Sequence, residues 1–242
     1  YNDPYHGTAV AILAAGNTNN GQGKSSIGSD CSLQLYNMGM NNILTATYNG
    51  ARIINLSWAS GCYYSQYTQD AIEEVYDNGS IIVASAGNGG TCGGASNYVY
   101  PASYDYVISV TSVGPQNNHE KTIGDPSTTH QHNDKVDLAA PGYDVPLTVA
   151  SGWYLTGNGT SFAAPIVSGT IGLMLSVNPC LEFEDVEMIL QQTAYDLSND
   201  NPNYINGLGA GRLDAGAAVQ MAANMSFHTV QFTSSFDCNE NA

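Results

Sequence analysis

Positive charge is the scarcest ingredient of this chain. Its 242 residues include 5 Lys and Arg against 21 Asp and Glu, a formal net charge of -16. Such a surface repels phosphate backbones, which excludes nucleic-acid binding, and it disfavours anionic membranes for the same reason. Charged residues of both signs make up 11% of the chain, against about 25% in an average soluble protein. Uncharged polar residues, with 24 Asn among them, and 16 Tyr take their place. An acidic excess often goes with disorder, but 43% apolar content is enough to support a core.

Long apolar runs are missing too. The longest, 162–177, is broken by Pro165, Ser168, Gly169 and Gly172. It is shorter than the roughly 20 residues a bilayer needs, so a buried helix is expected rather than a membrane span. Tyr1 reads as a processed or truncated end rather than a translation start. The five cysteines, Cys31, Cys62, Cys92, Cys180 and Cys238, form no C-x-x-C pair, which removes most support for a zinc or redox site. Cys62 and Cys92 sit in Gly- and Ser-rich stretches that suit disulfides in an oxidising compartment. The odd count leaves one thiol free or paired outside the chain.

What is present is an alternation of strands and helices in a length that fits one domain. Strands are expected at 34–38, 51–56, 80–86 and 106–113. The runs Ile53-Ile54 and Ile81-Ile82-Val83-Ala84 are nearly continuous in apolar character, as in strands covered on both faces. Helices are expected at 7–15, 41–48, 66–78, 162–177, 182–193 and 214–223, with Gly79 and Pro179 as stop signals. The pattern predicts a three-layer α/β fold, a mostly parallel doubly wound sheet with helices on both faces. Sites in such folds gather at the carboxyl ends of strands. A domain over 1–222 is expected. From 223 to 242 the composition turns to Ser, Thr, Phe and Asn, which suggests an added strand, an extension or a linker.

Three constellations carry chemistry. His6-Gly7-Thr8 opens a helix of small residues, and a histidine there serves as a general base if a carboxylate tethers its ring. Gly159-Thr160-Ser161-Phe162-Ala163-Ala164-Pro165 places a serine at the start of a buried helix. Backbone N–H groups and the helix dipole favour negative charge there, although Ser is also an ordinary N-cap. Ala84-Ser85-Ala86-Gly87-Asn88-Gly89 ends a buried strand in an Asn whose amide is able to donate to an oxyanion, or simply to make a turn. The last position of a G-x-S-x-G elbow is Ala163 here, which argues against an α/β-hydrolase. The run His130-Gln131-His132-Asn133-Asp134 also admits a reading as a metal cluster.

In this order the motifs resemble the subtilisin-like serine proteases. The matching stretches are HGTAVAILAAG around His6, RIINLSW at 52–58, IIVASAGN ending at Asn88 and YPASYDYVISVTSVG at 100–114. They continue with VDLAAPG at 136–142, GTSFAAPIVSGTIGLML around Ser161 and GAGRLDAGAAV at 209–219. The resemblance covers nearly everything from His6 to about Ala222. It implies a secreted serine endopeptidase acting on polypeptides, with His6 as general base, Ser161 as nucleophile, and Asn88 with the Ser161 N–H as oxyanion donors. The alternative is a catalytically inactive subunit of the same fold with a binding or structural role.

The resemblance has one gap. The family's triad Asp lies upstream of its His, on a separate strand. Only five residues precede His6, and Asp3 is the one carboxylate among them, without that context. Asp137 corresponds to a structural position. A companion N-terminal segment carrying the triad Asp is therefore expected to pack against a sheet edge. The resemblance further implies substrate contacts along Ser57, Trp58, Ala59 and Ser60. A primary pocket walled by this segment and by Ala84, Ser85 and Ala86, and floored near Val99, would be narrowed by the added side chains toward small or medium apolar groups. A Cys62–Cys92 bridge would staple the two walls. Calcium, a usual family cofactor, would bind the loop after the His6 helix through Asn17, Asn19 and Asn20.

Overall fold

The structure, a computed structural model, describes residues 4–149 and 152–225. In chain order its elements are α1 (Pro4–Ala15), α2 (Met40–Tyr48), β1 (Ile53–Leu56), α3 (Gln66–Asp77), β2 (Ile81–Ser85) and β3 (Val107–Val113). After a 3-10 turn at Pro126–Thr128 follow β4 (Leu138–Pro141), β5 (Val145–Thr148), β6 (Tyr154–Gly157), α4 (Thr160–Val177), α5 (Phe183–Thr193) and α6 (Ala215–Asn224).

Four parallel strands form the sheet, in the order β1-β2-β3-β4. Every residue of β2 and β3 is buried, because helices cover both faces and no polar side exists to alternate with. On one face α4, α5 and α6 bury Val167, Ile171, Met174, Val186 and Ile189 against Ile81, Val83, Ile108 and Val110. On the other, α2 and α3 set Ile43, Ile72 and Val75 on Ile54, Ile82 and Ala84. The expected three-layer α/β architecture is present.

α4 is the one described helix long and apolar enough to cross a membrane, yet 67% of that window is buried inside the protein. Gly169 lets it approach α1 closely. A Cβ at Gly169 would lie 2.5 Å from Ala14 O and 3.1 Å from Gly28 N, and Gly28 N donates to Ala14 O.

Two sheet edges behave differently. The outer edge of β4 is covered by the chain itself, where Ala139 N donates to Gly211 O and Leu213 N donates to Ala139 O. The outer edge of β1 has no strand beside it among the described residues. The strand expected at 34–38 does not form, and residues 31–38 are irregular and exposed. Leu35 is 79% and Met38 56% exposed. A strand needs a neighbour to complete its ladder, and here a groove of about 520 Å³ separates this segment from β1.

The antiparallel β5–β6 hairpin was not anticipated. The extension expected from 223 onward lies, past Met225, outside the described residues. So do Asp3 and Cys238.

Candidate active site

Three distant stretches meet at the start of α4. Asn88 Oδ1 accepts from Thr160 N at 2.9 Å and from Thr160 Oγ1 at 3.0 Å. Gly87 N in turn donates to Thr160 Oγ1 at 3.1 Å. Two donors on the amide oxygen fix which way the carboxamide faces and turn Nδ2 to the other side. From the opposite direction His6, half-buried on α1, packs its ring 5.7 Å from that of Phe162, centroid to centroid. Ser161 therefore lies between the residue that holds Asn88 and the residue that touches His6. It occupies the second position of α4, where the helix dipole favours negative charge.

Pro165 shapes this turn. It lies inside α4, and without an N–H it cannot bond the carbonyl of Ser161. Ser57 Oγ donates to that carbonyl instead, at 2.8 Å. Asn55 Nδ2 donates to Ser57 Oγ at 2.9 Å, and Ser168 Oγ donates to Asn55 Oδ1 at 3.0 Å. Of the residues expected to touch substrate, Ser57 thus has its hydroxyl committed to α4.

The other expected contact residues fall into two groups. Ala59 and Ser60 are exposed and Trp58 is half-buried. Ser60 N donates to Tyr100 O at 2.7 Å, and Tyr100 N donates to Gly61 O at 3.0 Å, so the end of this segment pairs with the chain at Tyr100 rather than standing free. Ala84, Ser85, Ala86 and Val99 are buried. Val99 fits under the turn after β2, since a Cβ on Gly87 would meet its Cγ2 at 3.0 Å. A disulfide joins Cys62 to Cys92 and ties the two walls, Cys180 is also disulfide-bonded, and Cys31 is a free thiol.

The calcium expectation falls on an exposed loop. Asn17, Asn19 and Asn20 are exposed, and Asn20 Oδ1 accepts from Gln22 N. The loop 16–25 contains no carboxylate, and its Lys24 ammonium donates to Pro146 O at 2.9 Å. Neutral oxygens are calcium ligands, but the loop supplies only part of such a site and the carboxylate would come from outside it, and no step below uses the ion. The histidine run is not a metal cluster either. Among the described residues no three His, Cys, Asp or Glu are arranged to hold a metal. His119 Nδ1 bonds Ser112 O, and its Nε2 pairs with His132 Nδ1 at 3.1 Å. Burial pushes His119 down to about 4 and His130 down to about 3.

Sequence reasoning missed Thr160 and Gln131. Thr160 stood in plain view inside the G-T-S motif. Gln131 carried no signal, because its partners are 42 and 37 residues away.

The comparisons with known proteins identify the family. The family model described as the subtilase family matches residues 1–210, and the chain belongs to that family. It is 34% identical over 185 residues to subtilisin DY of Bacillus licheniformis, covering 76% of this chain and 63% of that protein. It is 35% identical over 236 residues to the halolysin-like extracellular serine protease Nep of Natrialba magadii, covering 90% of this chain and 40% of that protein. The chain thus spans less than two thirds of the length of either relative. A solved protease of Pseudoalteromonas arctica superposes with a TM-score of 0.76 at 28% identity, covering 90% of this chain and 70% of that one.

Proposed function

We propose that the chain is the catalytic part of a secreted serine endopeptidase. Ser161 attacks the carbonyl carbon of a peptide bond, and His6 accepts its proton and returns it to the leaving amine. Asn88 Nδ2 and the Ser161 N–H receive the oxyanion, and water then frees the acyl group. The observation that supports this reading best is the pair of hydrogen bonds that Thr160 N and Oγ1 donate to Asn88 Oδ1. It orients a carboxamide one residue away from a serine at a helix start. Replacing Ser161 with Ala should abolish cleavage of casein and of peptide anilides while leaving the melting temperature nearly unchanged. Equal cleavage by both proteins would refute the assignment.

The triad carboxylate belongs to a companion segment that fills the groove beside β1. The groove is walled by apolar side chains such as Ala11, Leu33, Leu35 and Ile54, and His6 and Ser57 line it as well. A strand added parallel to β1 runs in the same direction, so its last residue arrives at the level of Ser57, beside His6. An uncovered edge of a parallel sheet, flanked by exposed Leu and Met, is what such an insertion removes. Loss of that carboxylate is expected to cost about 10⁴ in rate. Co-expression of the companion segment with Asp or with Asn at its end tests this, and equal rates would remove the role.

The primary pocket, with Val99 buried below Gly87 and Ala84 and Ala86 in its walls, takes small or medium apolar side chains. A series of anilides differing at the cleavage-site residue should favour Ala, Val or Leu over Phe and Tyr. The reading of secretion is supported by the Cys62–Cys92 disulfide, which suits an oxidising compartment, and by the extracellular relative.

A further inference from the structure

Gln131 lies outside every motif that carried the family resemblance, yet it is fully buried and its polar groups are engaged on several sides. Its N–H donates to Gly87 O at 3.1 Å. Its Oε1 accepts from Gly89 N at 2.7 Å. Its Nε2 donates to Gly94 O at 3.0 Å, and its carbonyl accepts from Thr111 Oγ1. A buried amide needs such partners wherever it stands. What distinguishes these is their position, since two of them straddle Asn88, one on the residue before it and one on the residue after.

The turn needs that support. Gly87 and Gly89 adopt φ of 117° and 71°, conformations that glycine reaches easily and also leaves easily. Asn88 itself is exposed, so packing does not hold it. Thr160 fixes the side-chain oxygen and Gly87 N, and Thr91 Oγ1 accepts from Asn88 N at 3.0 Å, while Gln131 holds Gly87 O and Gly89 N on either side of Asn88. The approach is close: a Cβ on Gly87 would lie 2.8 Å from Gln131 Oε1, and one on Gly89 would lie 2.4 Å from Thr129 O. The Nε2 bond to Gly94 O extends the brace to the loop that follows Cys92.

We propose that Gln131 is a positioning residue that clamps the Gly87–Gly89 turn so that Asn88 Nδ2 meets the developing oxyanion. The proposal rests on the protease reading above. An oxyanion donor works within a tolerance of about 0.5 Å, so a slack turn weakens it without emptying the site.

The test is a double-mutant cycle on the active protein with its companion segment. Gln131→Met keeps the volume and removes the side-chain bonds to Gly89 N, Gly94 O and Asn97 O. It should lower kcat about tenfold and change KM less than about threefold, within the 10²–10³ that removal of an oxyanion donor costs. In the Asn88→Ala background the same change should do nothing further. Gln131→Glu, which keeps an acceptor for Gly89 N–H, should recover most of kcat. A drop of the same size in both backgrounds, or no drop at all, overturns the proposal.

Amide exchange gives a second readout that needs neither activity nor a folded Met variant. In the parent protein Gly89 N–H should be strongly protected, and exchange at the rate of a free peptide overturns the clamp. A parent without Ser161-dependent hydrolysis would instead count against the protease reading and leave the clamp to the exchange result.

Discussion

Ser57 Oγ donates to the carbonyl of Ser161 because Pro165, four residues further along α4, has no N–H to offer it. The segment beside the cleft and the first turn of the helix are joined through this one bond. Ser57→Ala leaves a partly buried acceptor unpaired, at a cost of about 1–3 kcal/mol. Thermal unfolding should show a Tm lowered by roughly 2–12 °C. In a Pro165→Ala background the new N–H at 165 takes over the carbonyl, and the effect of Ser57→Ala should shrink. An undiminished loss there would mean that Ser57 acts through something other than this carbonyl.

Asn88→Ala removes the carboxamide but leaves Gly87, Gly89 and their bonds to Gln131 in place. The expected result is a kcat lower by about 10²–10³ with KM little changed. A rise in KM at constant kcat would identify Asn88 as a substrate-binding residue instead.

Gly169→Ala tests how closely α1 must lie on α4. The added methyl would meet Ala14 O at 2.5 Å, with backbone on both sides. Overpacking of this kind costs about 1–3 kcal/mol. It also tilts the helix that carries His6, so kcat should fall further than the stability loss explains, measured well below the Tm of the variant. A variant that is less stable but fully active would show that the position of His6 does not depend on this contact.

Asp137 gives the pH dependence a sign. Burial, with Glu187 nearby, raises its carboxyl to about 7 in the folded protein, even though Ser109 N donates to it at 2.7 Å. The unfolded value is about 3.9. A raised acid favours the folded state while both forms are protonated, and that benefit is lost as pH rises from about 4 through 7. His119 and His130 act oppositely, since their lowered values cost stability as pH falls below about 6.5 toward 4 and 3. Asp137→Asn keeps an acceptor for Ser109 N and removes the charge. Its Tm relative to the parent should climb between pH 4 and pH 8. A difference that stays flat over this range would mean that Asp137 is ionised in the folded protein throughout.

The sheet was legible where each strand states its own burial. The runs at 53–56, 81–85 and 107–113 are apolar enough to announce two covered faces. Residues 34–38 have a similar look, with Leu35, Tyr36 and Met38, but pairing decides a strand and the partner edge is not written in those residues. His6, Ser161 and Asn88 stand in short motifs, which is what made them candidates. Thr160 was read only as part of its motif. The roles of Pro165 and Gln131 were invisible, because each depends on a partner tens of residues away or on a bond that is missing.

The central claim is that His6 activates Ser161. Fluorophosphonate labelling followed by peptide mass spectrometry, in the presence of the companion segment, measures this directly. The account predicts a single adduct on Ser161, formed at least about 100-fold faster than in the His6→Ala variant. An unmodified Ser161, or an adduct that forms equally fast without the imidazole, would contradict it.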